Sequence, residues 1–136
     1  MKQDRPISFL SFPGTAEKAV NFYVETFPNS KLNHFTYYNR DEPDLIGKIL
    51  NADFTLMGVP FYALDFTEAQ APVASWQTSQ YIEFSKIQDF DHVFYRLSEK
   101  GNVLMGPDPM TPFDKVAWIT DQFGITWQIL HRAEQN

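Results

Sequence analysis

Two stretches of the chain carry helical periodicity, and each is set in the same surroundings. Ala16, Ala19, Val20, Tyr23, Val24 and Phe27 recur at the three- and four-residue spacing of one helix face. Phe90, Val93, Phe94 and Leu97 repeat that spacing. A short β-prone run precedes each helix, at 7–12 and at 80–85. Thr15 is placed to cap the first helix, with Glu17 in its first turn, and Pro28 stops it. Gly101 stands in the usual C-terminal position of the second. Strands follow the first helix at about 31–39, 47–56 and 59–66, with a turn at Met57-Gly58. After the second helix comes a Pro-rich segment, 106–113, and then strands at about 115–120 and 125–131. The chain therefore reads twice as strand, helix, then two or three strands. The pattern repeats, but the residues do not.

That order predicts an α+β fold, whether as two modules or as one ordinary mixed sheet. The 136 residues suit a single domain over 1–136. Within it, module one covers about 6–66 and module two about 80–131. The intervening 67–79 lacks periodicity and reads as a loop. Thirteen Phe, six Tyr and three Trp must fill a core or line a cavity for an organic ligand. A net charge of −6 with no basic cluster argues against nucleic acid or an anionic membrane as partner. Cysteine is absent, which excludes disulfides, thiolate metal sites and a cysteine nucleophile. No apolar run nears the roughly 20 residues of a membrane helix, and the N-terminus has no leader-like core, so a cytoplasmic setting is expected.

Three stretches, "ISFLSFPGTAEKAVNFYVETFPNSKL", "MGVPFYALD" and "ITDQFGITWQIL", resemble the PhnB-like branch of the vicinal oxygen chelate superfamily. The branch is often labelled 3-demethylubiquinone-9 3-methyltransferase-like. The resemblance implies two βαβββ modules with curled mixed sheets around a cleft, the glyoxalase/bleomycin-resistance/dioxygenase fold. It also implies a homodimer. Methyl transfer is not expected: the glycines at 14, 47, 58, 101, 106 and 124 form no Gly-rich turn for a nucleotide-type donor. The label is read as lineage.

Metal-dependent members of that superfamily gather His, Glu or Gln onto one divalent ion. The corresponding positions here fall near Ile7, at Ala63 or Asp65, at Tyr81 and at Gln128. An amide and a phenol are weak donors, since Tyr coordinates well only as the phenolate, with an ordinary pKa near 10. His34, His92 and His131 lie elsewhere. Neither a metal nor another cofactor is therefore expected.

The reading that remains is a metal-independent protein binding a small hydrophobic or aromatic molecule, by analogy with the bleomycin-resistance proteins. Strand alternation sends Gln128 and Thr126 inward together, with Trp127 and Ile129 packed under the helices. Tyr81, Glu83 and Asp65 complete the expected ligand-binding set. A one-residue slip in register would turn Glu83 and Asp65 to solvent, and for Gln128 the alternative is a bond to neighbouring backbone. No catalytic residue is assigned. The alternative is a lyase or isomerase that uses either a weak divalent metal site or Glu83 and Tyr81 as proton-transfer groups. Trp118 and Trp127, in opposite parity classes relative to the turn between their strands, are left as a choice between core and cleft.

Overall fold

The computed structural model describes residues 4–70 and 72–133. The first and last residues of the expected 1–136 domain, and Ala71 within the expected loop, lie outside the described residues. The chain divides into two compact units, Met1–Pro72 and Val73–Asn136. Each is a βαβββ module, and together they give the α+β glyoxalase/bleomycin-resistance/dioxygenase fold.

The first unit contains β1 (Ser8–Phe12), α1 (Ala16–Thr26), β2 (Lys31–Tyr37), β3 (Ile49–Leu56) and β4 (Val59–Asp65). A short 3-10 turn, Pro43–Leu45, lies between β2 and β3 and is invisible to periodicity. The sheet order is β1-β4-β3-β2, with β1 parallel to β4 and the other pairs antiparallel. The helix covers one face, burying Ala16, Ala19, Val20 and Tyr23 with Phe12, Phe54, Phe61 and Ala63. Met57 and Gly58 both take positive φ, as the predicted two-residue turn between β3 and β4 requires.

The cap of α1 is not the expected one. Thr15 occupies the N-cap position but makes no side-chain cap bond. Asp65, 49 residues beyond Ala16, replaces it. One carboxylate oxygen accepts the Ala16 amide at 2.8 Å, and the other accepts the Ile49 amide at 2.9 Å. A carboxylate is well suited there, because the unpaired amides of a helix start carry partial positive charge. One side chain thus ties together the end of β4, the start of α1 and the start of β3.

The second unit contains β5 (Gln80–Phe84), α2 (Ile87–Ser98), β6 (Asn102–Met110), β7 (Phe113–Thr120) and β8 (Thr126–His131), in the order β5-β8-β7-β6. Phe90, Val93 and Leu97 of α2 are buried, as are Trp127 and Ile129 on the strand beneath. Two expectations are corrected here. The Pro-rich 106–113 segment is mostly strand: β6 takes in 106–110 at the sheet edge, where a proline needs no ladder partner, and three register shifts absorb the irregularity. The left-handed residue after α2 is Lys100, at φ 58, and not Gly101. Gly101 is needed for space, since a Cβ there would stand 2.6 Å from the Leu97 carbonyl oxygen and 2.8 Å from that of Thr120.

Candidate functional site

The turn between β7 and β8 sets the register of the second sheet. Asp121 accepts the Phe123 and Ile125 amides on one carboxylate oxygen, at 2.8 and 3.1 Å, and the Trp127 indole N–H on the other, at 2.8 Å. Its own amide donates to the Ile125 carbonyl at 2.8 Å, and Gly124 turns the chain at φ 93. Thr120 then stands opposite Thr126, and Trp118 opposite Gln128.

From this register follows the composition of the helix-free face. Trp127 and Ile129 point to α2, so Thr126, Gln128 and Leu130 point away. On β5, Tyr81 pairs with Gln128 and Glu83 with Leu130. A row of three side chains, Tyr81–Gln128–Trp118, therefore crosses three strands, with Glu83, Leu130 and Val116 as the next row. The structure brings four of the five expected residues onto this one face: Tyr81, Glu83, Thr126 and Gln128.

Asp65 is not among them. It belongs to the other unit, it is 1% exposed, and it faces α1 with Ala63; the residues of β4 that face away from the helix are Pro60, Tyr62 and Leu64. The alternation was read correctly, but its phase was inverted, because Asp65 looks like a site carboxylate and is a helix cap. A depression of about 500 Å³ does border Asp65 on the helix side, with Thr15, Lys18 and Lys48 in its wall. The helix amide it could offer is already bonded to Asp65.

The polar groups on the helix-free face differ in how they are held. Gln128 makes no side-chain hydrogen bond within the described residues, so its amide is available. Thr126 shares a 2.8 Å hydroxyl contact with Thr120 and donates at 3.4 Å to the Ser75 carbonyl. The Tyr81 hydroxyl is held above its ordinary pKa by loss of hydration first, then by the charge of Glu83 and a hydrogen bond to it, with Arg132 opposing. Tyr81 is thus a neutral donor at physiological pH. Glu83 has 48% of its side chain exposed and lies 3.8 Å from the Arg132 guanidinium, a surface ion pair of small energetic weight.

This donor set does not fit a divalent ion. In the second unit the inherited positions supply a carboxamide and a phenol whose ionisation is disfavoured. Among the described residues, no three His, Asp or Glu side chains come together in metal-binding geometry. His131 is buried with its Nδ1 2.7 Å from Asp114, while His34 and His92 are exposed on β2 and α2.

A family model described as 3-demethylubiquinone-9 3-methyltransferase matches residues 4–130. The chain belongs to that family. No curated protein matches it. Among solved structures, the 3-demethylubiquinone-9 3-methyltransferase-type PhnB protein of Bacillus cereus is 29% identical with a TM-score of 0.81, over 94% of this chain and 99% of that one. Protein PA1353 of Pseudomonas aeruginosa is 20% identical with a TM-score of 0.82, over 97% and 100%. The fosfomycin resistance protein FosX of Listeria monocytogenes shares the fold at 8% identity and a TM-score of 0.65, over 98% and 96%. The PhnB-like resemblance seen in the sequence is thus family membership, and the likeness to FosX is one of fold alone.

Of two further residues on this PhnB-like face, one was left open by the sequence and one escaped it. Trp118 takes the helix-free side, next to Gln128. Trp76, from the segment before β5, meets it edge-on with ring centroids 5.6 Å apart. The hairpin arithmetic held the signal for Trp118: counting back two residues on each strand from Thr120 and Thr126 gives Trp118 opposite Gln128. Trp76 lies in an aperiodic segment and left no such trace.

Proposed function

We propose that the chain binds a small hydrophobic or aromatic molecule without a metal, on the helix-free face of its second module. The observation that carries this reading is the row Tyr81–Gln128–Trp118. It combines two aromatic rings with an amide that has no partner in the described chain, which is the mix of apolar wall and sparse polar anchors that ligand sites use. Glu83 and Thr126 flank the row, and Asp65 serves the fold. The family's name implies methyl transfer, yet four-stranded mixed sheets with a lone Gly14 in the first strand–helix turn do not favour a nucleotide-type methyl donor. The working assembly is a homodimer, and no nucleic-acid partner is proposed. No helix among the described residues is long and apolar enough to cross a membrane.

The test is a binding screen of small aromatic compounds in the presence of a chelator, run on the wild type and on Gln128→Leu. Hits whose affinity drops in the folded variant support the site. Unchanged affinity for every hit counts against it.

A second reading draws on the Tyr81–Glu83 hydrogen bond. In it the pair moves protons for a lyase or isomerase reaction. Full turnover by Glu83→Gln on any substrate found would remove that role.

A further inference from the structure

Trp118 holds an unusual donor. Its indole Nε1–H is buried from solvent and has no hydrogen-bond partner. Buried N–H groups are nearly always satisfied, and one left unpaired is costly. The other indole of this sheet shows the usual arrangement: Trp127, on the helix side, donates to Asp121. What stands against Trp118 is the ring of Trp76, carried by an exposed segment, 72–78, of which Trp76 itself is 59% exposed. Besides that ring contact, a long 3.4 Å hydrogen bond from Thr126 to the Ser75 carbonyl holds this segment to the sheet.

We infer that the ligand carries a neutral hydrogen-bond acceptor at the edge of a planar ring, that Trp118 Nε1–H is the donor selecting it, and that Trp76 is the ring it displaces. This rests on the binding reading given above and adds the ligand's chemistry. Two free donors in one row, the Gln128 amide and the Trp118 indole, favour an acceptor such as a ketone, lactone or amide oxygen, the Tyr81 hydroxyl being given to Glu83. The acceptor is neutral because the nearby cation, Arg132, is set against Glu83. Ring stacking suits the aromatic walls, and the displaced Trp76 already shows that the place accepts an indole-sized group.

Nuclear magnetic resonance of the labelled indole groups in the full chain tests this with two probes of one skeleton, indanone and indane. Indanone should bind about tenfold more tightly, since a site holding an unpaired donor discriminates against a ligand without the acceptor. It should shift the Trp118 indole signal and leave that of Trp127 in place. Trp118→Phe should bring indanone down to the affinity of indane. Trp76→Ala should keep the preference while strengthening both. Equal binding of the two probes, or a preference that survives Trp118→Phe, overturns the inference and leaves a binding face of other specificity. Binding of neither probe to wild type or Trp76→Ala overturns the inference together with the reading beneath it.

Discussion

Two side chains that look alike in sequence, each a polar residue in an apolar strand, have different duties. Asp65 is buried and saturated: Asp65→Asn should cost about 2 kcal/mol, because an amide cannot accept from both the Ala16 and Ile49 donors. Urea unfolding would measure the loss, and ligand affinity in the folded protein should not move. Gln128 has no partner to lose, so Gln128→Leu should stay within about 0.5 kcal/mol of wild-type stability and fail in binding instead. Tyr81 gives a prediction in pH. Its folded pKa is raised, so the stability it contributes is fully present below the unfolded value of about 10 and is lost as pH rises through the folded one. Phenolate absorbance, compared between wild type and Tyr81→Phe, should show one tyrosine titrating above that ordinary value, and Glu83→Gln should bring it down. A Tyr81 midpoint at or below 10 would break the Tyr81–Glu83 link.

At the scale of elements, the second module depends on glycines that make room for carbonyls. Gly106 has φ 83, and a Cβ there would collide with the Val116 carbonyl oxygen of the paired strand, so Gly106→Ala should destabilise by about 2 kcal/mol or more in the same assay. Lys100 is the converse case: at φ 58 it sits where glycine is easiest, and Lys100→Gly should raise stability by up to about 1 kcal/mol. These places also mark what the sequence could and could not tell. Both helices and the Met57-Gly58 turn were legible, because periodicity and turn chemistry are local. β6 was hidden, since Pro107 and Pro109 are tolerated only by its position at a sheet edge, which is a tertiary fact. The phase of β4 was misread for the same reason. Alternation gives two faces, but only the packing of α1 says which is covered, and Asp65 went with the helix. In β8 the expected phase agrees with the structure: Trp127 and Ile129 pack under α2, and Thr126 and Gln128 lie on the helix-free face.

For the whole molecule, family membership is established and the fold is shared with proteins as distant as FosX, yet the family name does not describe what this donor set favours. Within the second module the row Tyr81–Gln128–Trp118 offers neutral hydrogen bonding beside aromatic rings. The proposed homodimer would appear as twice the 15.8 kDa chain mass in sedimentation equilibrium, and a monomer at all concentrations would remove it. Metal independence is the claim on which the functional reading turns. The measurement is a thermal-shift titration of metal-stripped protein with Zn, Ni, Mn and Fe(II), run beside Gln128→Glu. No stabilisation of the wild type by any of these ions at micromolar concentration is the predicted result. Stabilisation by one of them, abolished by Gln128→Leu, would contradict it and turn the search to metal-assisted chemistry on an oxygen-bearing substrate.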